Sequence, residues 1–413
     1  MNDIKTLNLK DNLIFKKITF LFLGLFFLST VLHTPSYIKY FLYFLTIVSL
    51  ATLVGLRKAI YDGFKDYYPY LIFVLICTLS YTLLEKELFN VTESPQIENV
   101  IALFVLFIFL SQLSSYYEDI MKTMIGITAA YLFISLPAHF FYHQHSFLTA
   151  TLFLWDIEVD SYSLKNTLGI LIVILCPYTI YKFSRTMSAY YFFILCIFGV
   201  SIFYTFSRAS LILFILSFLF LFMSKDAKVI KANFLFIVVI ISAALMFQIT
   251  PKKYNDLKHS SNIIILNDQT LDIIDVNKSF TKESSRFDYI SKSVDGFLEK
   301  PLFGNGFSSF RTNHSYFDEQ NRLIRKPVTH NDFAQVLYEM GLLGFSSFLY
   351  LFLFNINRYR YYGKDNFLST IMLSQLILLG VSLNIINLTD HAIFWIVMAL
   401  TLIKNTNQKS PSF

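Results

Sequence analysis

Long apolar runs separated by short polar connectors dominate this chain of 413 residues. The runs are roughly 15–22 residues long, and an α-helix needs about 20 apolar residues to cross the hydrocarbon core of a bilayer. Strands of a membrane barrel would instead show about ten residues of alternating polarity. Only 15% of the residues are charged, compared with about 25% in a soluble domain. We therefore predict an all-α polytopic membrane protein.

The apolar runs predict about twelve transmembrane helices. They are expected near 15–32, 37–56, 68–84, 99–115, 120–141, 166–182, 189–206, 209–224, 232–249, 331–355, 366–386 and 391–404. Because Lys16 and Lys17 precede the first run and no small-residue cleavage site accompanies it, we interpret this run as a retained span. The chain then divides into nine helices over 1–249, one large loop over 250–330, and three helices with a C-terminal tail over 331–413.

The distribution of lysine and arginine predicts how the helices are oriented. Basic residues gather in alternate connectors: Lys5, Lys10, Lys16, Lys17, Arg57, Lys58, Lys65, Lys182, Arg185, Lys225, Lys228, Lys231, Arg358, Arg360, Lys364, Lys404 and Lys409. The opposite connectors are poor in basic residues, and the one at 85–98 is acidic. This alternation predicts that both termini are cytoplasmic and that the 250–330 loop is external.

Cysteine usage and net charge argue against two other classes of site. Cys77, Cys176 and Cys196 all fall inside apolar runs, where they act as small hydrophobic residues, and no CxxC motif is present. The net charge of +6 is spread over many connectors and does not form one basic patch. We therefore expect neither a disulfide framework nor a nucleic-acid partner.

The external loop contains one strongly patterned stretch, SSRFDYISKSVDGFLEKPLFGNGF at 284–307. Its apolar residues recur at helical spacing until Pro301, which predicts an amphipathic helix. Such a helix lies either on the membrane surface or against the helical bundle. The Gly304-Asn305-Gly306 sequence that follows predicts a tight turn, because a lone GxG is weak evidence for phosphate binding.

A polar cluster precedes the tenth predicted span, in the sequence KPVTHNDFAQVLYEMGLLGF at 326–345. Thr329 and Asp332 approximate a capping box, which would place His330 in the first helical turn. The positive end of the helix dipole disfavours a protonated imidazole there. A neutral histidine facing an aqueous cleft is suited to act as a general base, and the same helix end would attract an anion.

Asn331, Gln335 and Glu339 follow at intervals of four residues and form a polar stripe along this helix. An ionisable group inside a membrane span is costly and often functional. The alternative is that Gln335 and Glu339 only connect neighbouring helices by hydrogen bonds. The sequence leaves both interpretations open.

An arginine interrupts a second apolar stretch, in YTFSRASLILF at 204–214. The break predicts a tight external hairpin with Arg208 at its apex. Arg208 either extends along the helix end toward the membrane surface or binds a ligand. Together with Arg286, at the start of the amphipathic helix, it could hold a diphosphate through paired hydrogen bonds.

Two further polar groups lie at predicted helix ends. His139, His143 and His145 in HFFYHQH could bind a metal, but no cysteine or carboxylate nearby completes a ligand set, so interfacial residues are favoured. Asp390 and His391 either line the same cleft as His330 or cap a helix.

The SRAS arginine, the RFDYI…FLEKPLFGNGF segment and THNDFAQVLYEMGLLGF, in this order, resemble the O-antigen ligase/polymerase family. This family consists of bacterial membrane glycosyltransferases with a large periplasmic loop between late spans. The resemblance is strongest over 200–345. It implies a GT-C-like fold in the inner membrane with the active site on the periplasmic side.

The resemblance also implies an undecaprenyl-diphosphate-linked glycan donor and inverting transfer without a metal or other cofactor. By motif match, the diphosphate-binding arginines fall on Arg208 and Arg286, and the base falls on His330. Val328 and Thr329 occupy the place where a ligase often has a second histidine, which weakens the case for a ligase. Asp390 in NLTDHAIFW is typical of ligases and favours one.

Three functions remain open on the sequence. The first is an O-antigen ligase that transfers the glycan to a lipid A-core hydroxyl. The second is a polysaccharide polymerase, whose acceptor is another lipid-linked repeat. The third is a glycolipid transporter, which the external position of the polar groups disfavours, since transporters place charges and broken helices near the midplane.

Overall fold

A computed structural model describes most of the predicted helices. It covers residues 13–31, 36–82, 97–113, 116–142, 161–204, 208–222, 228, 230–232, 234–238, 241, 286–314, 316–317, 323–325, 329, 331–362, 367–382 and 392–402. Statements about the structure below refer to these residues.

The described chain is built almost entirely from α-helices. Before the 250–330 region these are α1 (Leu13–Val31), α2 (Ser36–Val54), α3 (Phe64–Thr82), α4 (Ile97–Ser111), α5 (Tyr117–Tyr142), α6 (Ser161–Thr186), α7 (Ala189–Tyr204) and α8 (Arg208–Phe222), with a π-helical turn at Lys58–Asp62. Within and after it lie α9 (Arg286–Glu299), α10 (Ser309–Asn313), α11 (Asp332–Tyr362), α12 (Phe367–Ser382) and α13 (Ala392–Leu400). Strands β1 (Tyr316–Phe317) and β2 (Leu323–Arg325) pair antiparallel.

The prediction of a helical fold is confirmed, and the apolar helices are consistent with a membrane protein. Among the described residues, four helical segments are long and apolar enough to cross a bilayer: Leu13–Thr30, Tyr37–Val54, Leu168–Thr186 and Asp332–Arg358. Ile97–Ser111, Ala189–Phe203, Ala209–Leu219 and Ile371–Ser382 are shorter apolar helices. The total of twelve spans stays a prediction. The small β1–β2 pair was not predicted.

Aromatic side chains fill the centre of the bundle around Trp395, which is fully buried. Its ring centroid lies 6.3 Å from that of Tyr70, 6.1 Å from Phe104 and 5.9 Å from Phe107. These residues belong to α13, α3 and α4, and every residue of α13 is buried. Edge-on and tilted ring contacts stabilise such clusters beyond the area that they bury. The short α13 therefore lies buried in the bundle, in contact with α3 and α4.

Buried polar side chains also connect the helices. The Tyr117 hydroxyl of α5 donates to Gln375 Oε1 of α12 at 2.5 Å, and Gln375 Nε2 donates to the Ile174 carbonyl of α6 at 2.8 Å. Apolar burial contributes little to association between helices that are already surrounded by lipid. Hydrogen bonds of this kind therefore help to decide which helices are neighbours.

Two ion pairs bring together helix ends that the charge pattern assigns to one side of the membrane. Arg358 near the end of α11 contacts Asp66 near the start of α3. Lys182 near the end of α6 lies 2.5 Å from Glu118 near the start of α5. Both pairs join ends that were predicted to be cytoplasmic. The helix pairing thus agrees with the predicted alternation, while the sidedness itself stays a prediction.

The predicted amphipathic helix is α9, and it packs against α11. Tyr289 and Ser293 are buried on its inner face. A Cβ on Gly296 of that face would overlap the Tyr338 ring, so only glycine permits this approach. Helix α9 ends at Glu299, just before Pro301, as the sequence predicted.

Candidate functional site

A break in α11 at Gly341 organises the polar region of the molecule. Gly341 has φ 60° and ψ −159°, which are not helical values. The segment 301–306 inserts at this break. The backbone N–H groups of Asn305 and Gly306 donate to the carbonyls of Tyr338 and Glu339, each at 2.9 Å.

The other side of the break is satisfied by the same segment. The N–H groups of Leu342 and Leu343 donate to the carbonyls of Pro301 and Leu302 at 2.8 Å and 3.2 Å. A helix interrupted inside an apolar environment must find new partners for the backbone groups that it frees. Here the loop after α9 supplies them, so α9 and both halves of α11 form one hydrogen-bonded unit.

Glycine is required at two positions of this unit because backbone meets backbone. A Cβ on Gly304, whose φ is +71°, would lie 2.5 Å from the Glu339 carbonyl. A Cβ on Gly341 would lie 2.6 Å from the Leu302 carbonyl. The chain bends at Asn305 between two glycines of positive φ, in agreement with the predicted turn. Its N–H groups are already bonded within the protein, which leaves no phosphate cradle there.

Glu339 is a buried hydrogen-bonding centre. Gln335 Nε2 donates to its carboxylate at 3.0 Å, and the Phe310 N–H donates at 3.4 Å. The Ser308 N–H also donates to it, and the positive charge of Arg311 acts on it. The carboxylate thereby connects α11 to the start of α10. Of the two interpretations of the polar stripe, the structure supports the hydrogen-bonding one for Gln335 and Glu339.

The start of α11 differs from the predicted capping box. The helix begins at Asp332, and the Asn331 side-chain carbonyl accepts the Ala334 N–H at 3.1 Å, so Asn331 is the N-cap. The Thr329 hydroxyl accepts the Asn331 N–H at 3.2 Å and donates to the Asn331 carbonyl at 2.9 Å. Asp332 is buried in the first turn. The predicted Thr329–Asp332 box is therefore wrong, because Asn331, two residues after Thr329, provides the cap.

His314 lies beside this unit in an aromatic cluster. Its ring centroid is 4.7 Å from that of Phe310 and 5.8 Å from that of Tyr338. Asn313 Nδ2 donates to the Tyr338 hydroxyl at 3.0 Å. Partial burial, and secondarily the charge of Lys292, lower the pKa of His314 below its ordinary value of 6.5. The imidazole is therefore neutral at pH 7.

The structure places the backbone of both predicted arginines at helix starts. Arg208 is the first residue of α8 and Arg286 the first of α9, but their side chains lie outside the described part of the chain. His330, Asp390 and His391 also lie outside the described residues. The predicted position of His330 in the first helical turn is not confirmed, since α11 begins at Asp332. The meeting of His330 with the two arginines stays a prediction.

Residues 191–349 match the family model described as O-antigen ligase. This match supports the O-antigen ligase family for this region. No curated protein matches the chain significantly. The ligase-family region contains Arg208, Arg286 and His330 together with α9, the inserted segment 301–306 and the break in α11. The resemblance that the three motifs indicated is thus confirmed, and with it a glycosyltransferase-like membrane protein of the ligase or polymerase type.

The structure shows two residues at the contact between α9 and α11 that the sequence analysis missed. Gly341 breaks the helix, and a glycine inside an apolar run was the available signal for it. Ser80 of α3 donates to the Glu339 carbonyl at 2.9 Å, in addition to the Gly306 N–H. No sequence signal marked Ser80, because a serine in a span is ordinary. Both residues position the unit formed by α9 and α11.

Within the residues that the structure describes, no group of three or more histidine, cysteine, aspartate or glutamate side chains is placed to hold a metal ion. The side chains of His139, His143 and His145 lie outside those residues, so the interpretation of HFFYHQH as an interfacial segment stays a prediction.

Proposed function

We propose that this protein is an O-antigen ligase. It transfers a polysaccharide from undecaprenyl diphosphate to a sugar hydroxyl of the lipid A-core, at the periplasmic face of the bacterial inner membrane. The family match over 191–349 carries the proposal. A GT-C-like bundle of about twelve helices with cytoplasmic termini and a periplasmic 250–330 loop belongs to the same proposal.

In the proposed reaction His330 accepts the proton of the acceptor hydroxyl. The hydroxyl oxygen then bonds to the anomeric carbon while the bond from that carbon to the diphosphate oxygen breaks, which inverts the configuration. General-base catalysis of this kind typically contributes 10²–10⁴-fold. The departing diphosphate is a stable anion, so the reaction requires neither a general acid nor a metal.

Arg208 and Arg286 bind the diphosphate and stabilise the charge that grows on it. Their positions as the first residues of α8 and α9 support this role. The unpaired N–H groups of a helix start favour an anion. Asp390 and His391 are assigned to the same cleft as supporting residues.

Asn331, Gln335 and Glu339 support the site without touching substrate. Asn331 caps α11 immediately after His330, and Gln335 and Glu339 are 5% and 2% exposed. Gln335 donates to Glu339, and Glu339 also accepts from Phe310 at the start of α10, so these bonds hold this part of α11 against α10. We therefore assign them as positioning residues.

Reconstitution with two competing acceptors tests the proposal. Purified protein receives an undecaprenyl-diphosphate-linked glycan together with lipid A-core and a lipid-linked single repeat. We expect product on lipid A-core and release of undecaprenyl diphosphate. Elongated lipid-linked repeats would instead identify a polymerase, which the Val328-Thr329 departure favours. Transport of the glycolipid without released undecaprenyl diphosphate would exclude both enzymes.

Variants of the three motif residues test the assignment of roles. His330→Ala should reduce transfer about 10²–10⁴-fold while donor binding is retained. Arg208→Ala and Arg286→Ala should weaken donor binding. Arg185→Ala, which removes an exposed arginine at the opposite end of the bundle, is the matched control. Near-normal transfer by His330→Ala, or unchanged donor affinity in both arginine variants, would remove these assignments.

A further inference from the structure

Five large apolar side chains stay exposed where α9 meets the break in α11. Leu298, Leu302, Phe303, Leu342 and Leu343 are 40–67% exposed. Leu302 lies beside the two α11 leucines, because Leu302 and its neighbour Pro301 accept the N–H groups of Leu343 and Leu342. Phe303 follows Leu302 directly in the chain, and Leu298 lies in the last turn of α9. We call these five residues the apolar ledge. Exposed apolar side chains in such a group mark a surface that something covers.

The faces of α9 show what lies on either side of the ledge. At about 100° per residue, Leu298 lies about 180° from Tyr289, which faces α11. Asp288, Asp295 and Glu299 lie on a separate, exposed polar face. The helix therefore has one face on protein, one that is apolar and exposed, and one that is charged and exposed. This is the arrangement of a helix that lies in a membrane interface beside a protein.

Helix α11 continues the ledge into the membrane. Leu342, Leu349 and Leu353 follow at seven and then four residues, so they share one face, and all three are exposed. They belong to the candidate span Asp332–Arg358. Exposed leucines on a membrane-spanning helix face lipid. The ledge is thus one end of a lipid-facing stripe that continues along α11 to Leu353, and not an isolated patch.

We propose that the apolar ledge is embedded in the bilayer leaflet that adjoins the candidate site, in contact with its acyl chains. Lys300, exposed beside Leu302 and Phe303, extends toward the lipid headgroups. The break at Gly341 then lies at the boundary between headgroups and hydrocarbon. Asp332–Met340 stands above that boundary, and Leu342–Arg358 crosses the hydrocarbon.

Embedding of the ledge would fix the position of the candidate site along the membrane normal. The inserted segment 301–306 hydrogen-bonds to both halves of α11, so its depth in the leaflet also fixes the height of Glu339 and the α11 start. The segment holds the polar residues at the level where a lipid-linked substrate presents its headgroup. The depth of the ledge does not depend on the proposed ligase reaction, and it can be tested apart from activity.

Spin labels at single cysteines measure this depth. The full chain, with Cys77, Cys176 and Cys196 replaced by alanine, is placed in nanodiscs of phosphatidylethanolamine and phosphatidylglycerol. Labels at Leu298→Cys and Phe303→Cys are compared with labels at Asp295→Cys and Glu299→Cys on the polar face. We expect the ledge labels to collide with dissolved oxygen and to be protected from a water-soluble nickel chelate. The control labels should show the reverse.

Two results would overturn the proposal. Equal access of nickel to ledge and control labels would place the ledge in water. Protection of the ledge from both reagents would show that protein covers it, either a second copy or a partner. If the cysteine-free chain does not fold, Phe303→Trp in the otherwise unchanged chain gives a second measurement. Lipids brominated on their acyl chains should then quench more fluorescence than in the parent protein, and equal quenching would refute the embedding.

Discussion

Two regions of α11, its C-terminal end and the break at Gly341, are held in the bundle by different kinds of contact. Near its C-terminal end, Arg358 pairs with Asp66 of α3, and Asn355 bonds to the Tyr70 hydroxyl of the same helix. Near Gly341, the contacts are mostly backbone hydrogen bonds to the segment 301–306. Side chains therefore hold the C-terminal end of α11 in place, whereas backbone hydrogen bonds hold the break at Gly341.

This difference predicts which substitutions each end tolerates. Asp66 contacts the C-terminal end and Ser80 contacts Glu339 beside the break, and these two residues are fourteen positions apart on α3, or about 21 Å along the helix axis. A side-chain contact depends on charge and can be exchanged for another pairing. A backbone contact of this kind requires glycine, because every other residue type has a Cβ atom that would block the approach. The end beside the candidate site is therefore the less adaptable one.

The largest effect is expected from Gly341→Ala. Its Cβ would meet the Leu302 carbonyl at 2.6 Å, and its φ of +60° strains any residue with a side chain. We expect a loss of about 3 kcal/mol or more in stability, seen as low yield of monodisperse protein and a lower Tm in detergent. Gly304→Ala should behave in the same way, because its Cβ would meet the Glu339 carbonyl.

Gly380→Ala in α12 is the matched control for both glycine variants. A Cβ there would meet only the edge of the Phe352 ring, at 3.3 Å, and alanine favours the helix. It should change the Tm little. If Gly341→Ala were as stable as Gly380→Ala, the insertion of 301–306 at the break would be wrong.

A smaller but still large effect is expected at the other end from Arg358→Met. Asp66 is only 4% exposed, so removing its partner leaves a buried carboxylate, at a cost of about 3 kcal/mol. Asp66→Asn combined with Arg358→Met should recover much of this loss in Tm, since no uncompensated charge remains. Losses that simply add in the double variant would show that the two residues do not interact.

Two variants of Glu339 distinguish the role of its hydrogen bonds from the role of its charge. Glu339→Gln keeps an oxygen that accepts the Phe310 and Ser308 N–H groups, so we expect it to retain most stability and, under the proposed function, most transfer activity. Glu339→Leu leaves those donors unsatisfied and should cost about 1–3 kcal/mol. A Tm loss in Glu339→Gln as large as in Glu339→Leu would show that the negative charge beside Arg311 is required.

The sequence predicted most helices but not the contact between α9 and α11. Apolar length and periodicity located α1 to α9 within a few residues, because helix formation and burial in lipid are local properties of the chain. The break at Gly341 depends on hydrogen bonds to the segment 301–306, which lies at least 35 residues earlier in the chain. Periodicity carries no information about such a pairing, so α11 was predicted as one continuous span.

The site was predictable in its residue types and less so in its details. Three motifs indicated the family, whereas the polar stripe left open whether Gln335 and Glu339 serve the reaction or only form hydrogen bonds. The cap was placed on Thr329 although Asn331 provides it, because a capping box and an asparagine cap two residues away look alike in sequence. Ser80 acts through a hydroxyl from a distant helix, which spacing along the chain cannot reveal.

The smallest predicted effect concerns His314, at the edge of the unit that the break organises. Its folded-state pKa is lowered, so the fold favours the neutral imidazole, and stability falls as pH decreases through 6.5, the ordinary value that applies in the unfolded chain. The Tm in detergent should therefore drop slightly more between pH 7.5 and 5.5 in the parent protein than in His314→Gln. Glutamine keeps a polar side chain of similar reach and does not titrate in this range. Equal drops in the two proteins would show that the packing of His314 against Phe310 and Tyr338 does not depend on its charge. A larger drop in His314→Gln would show that protonation of His314 stabilises the fold.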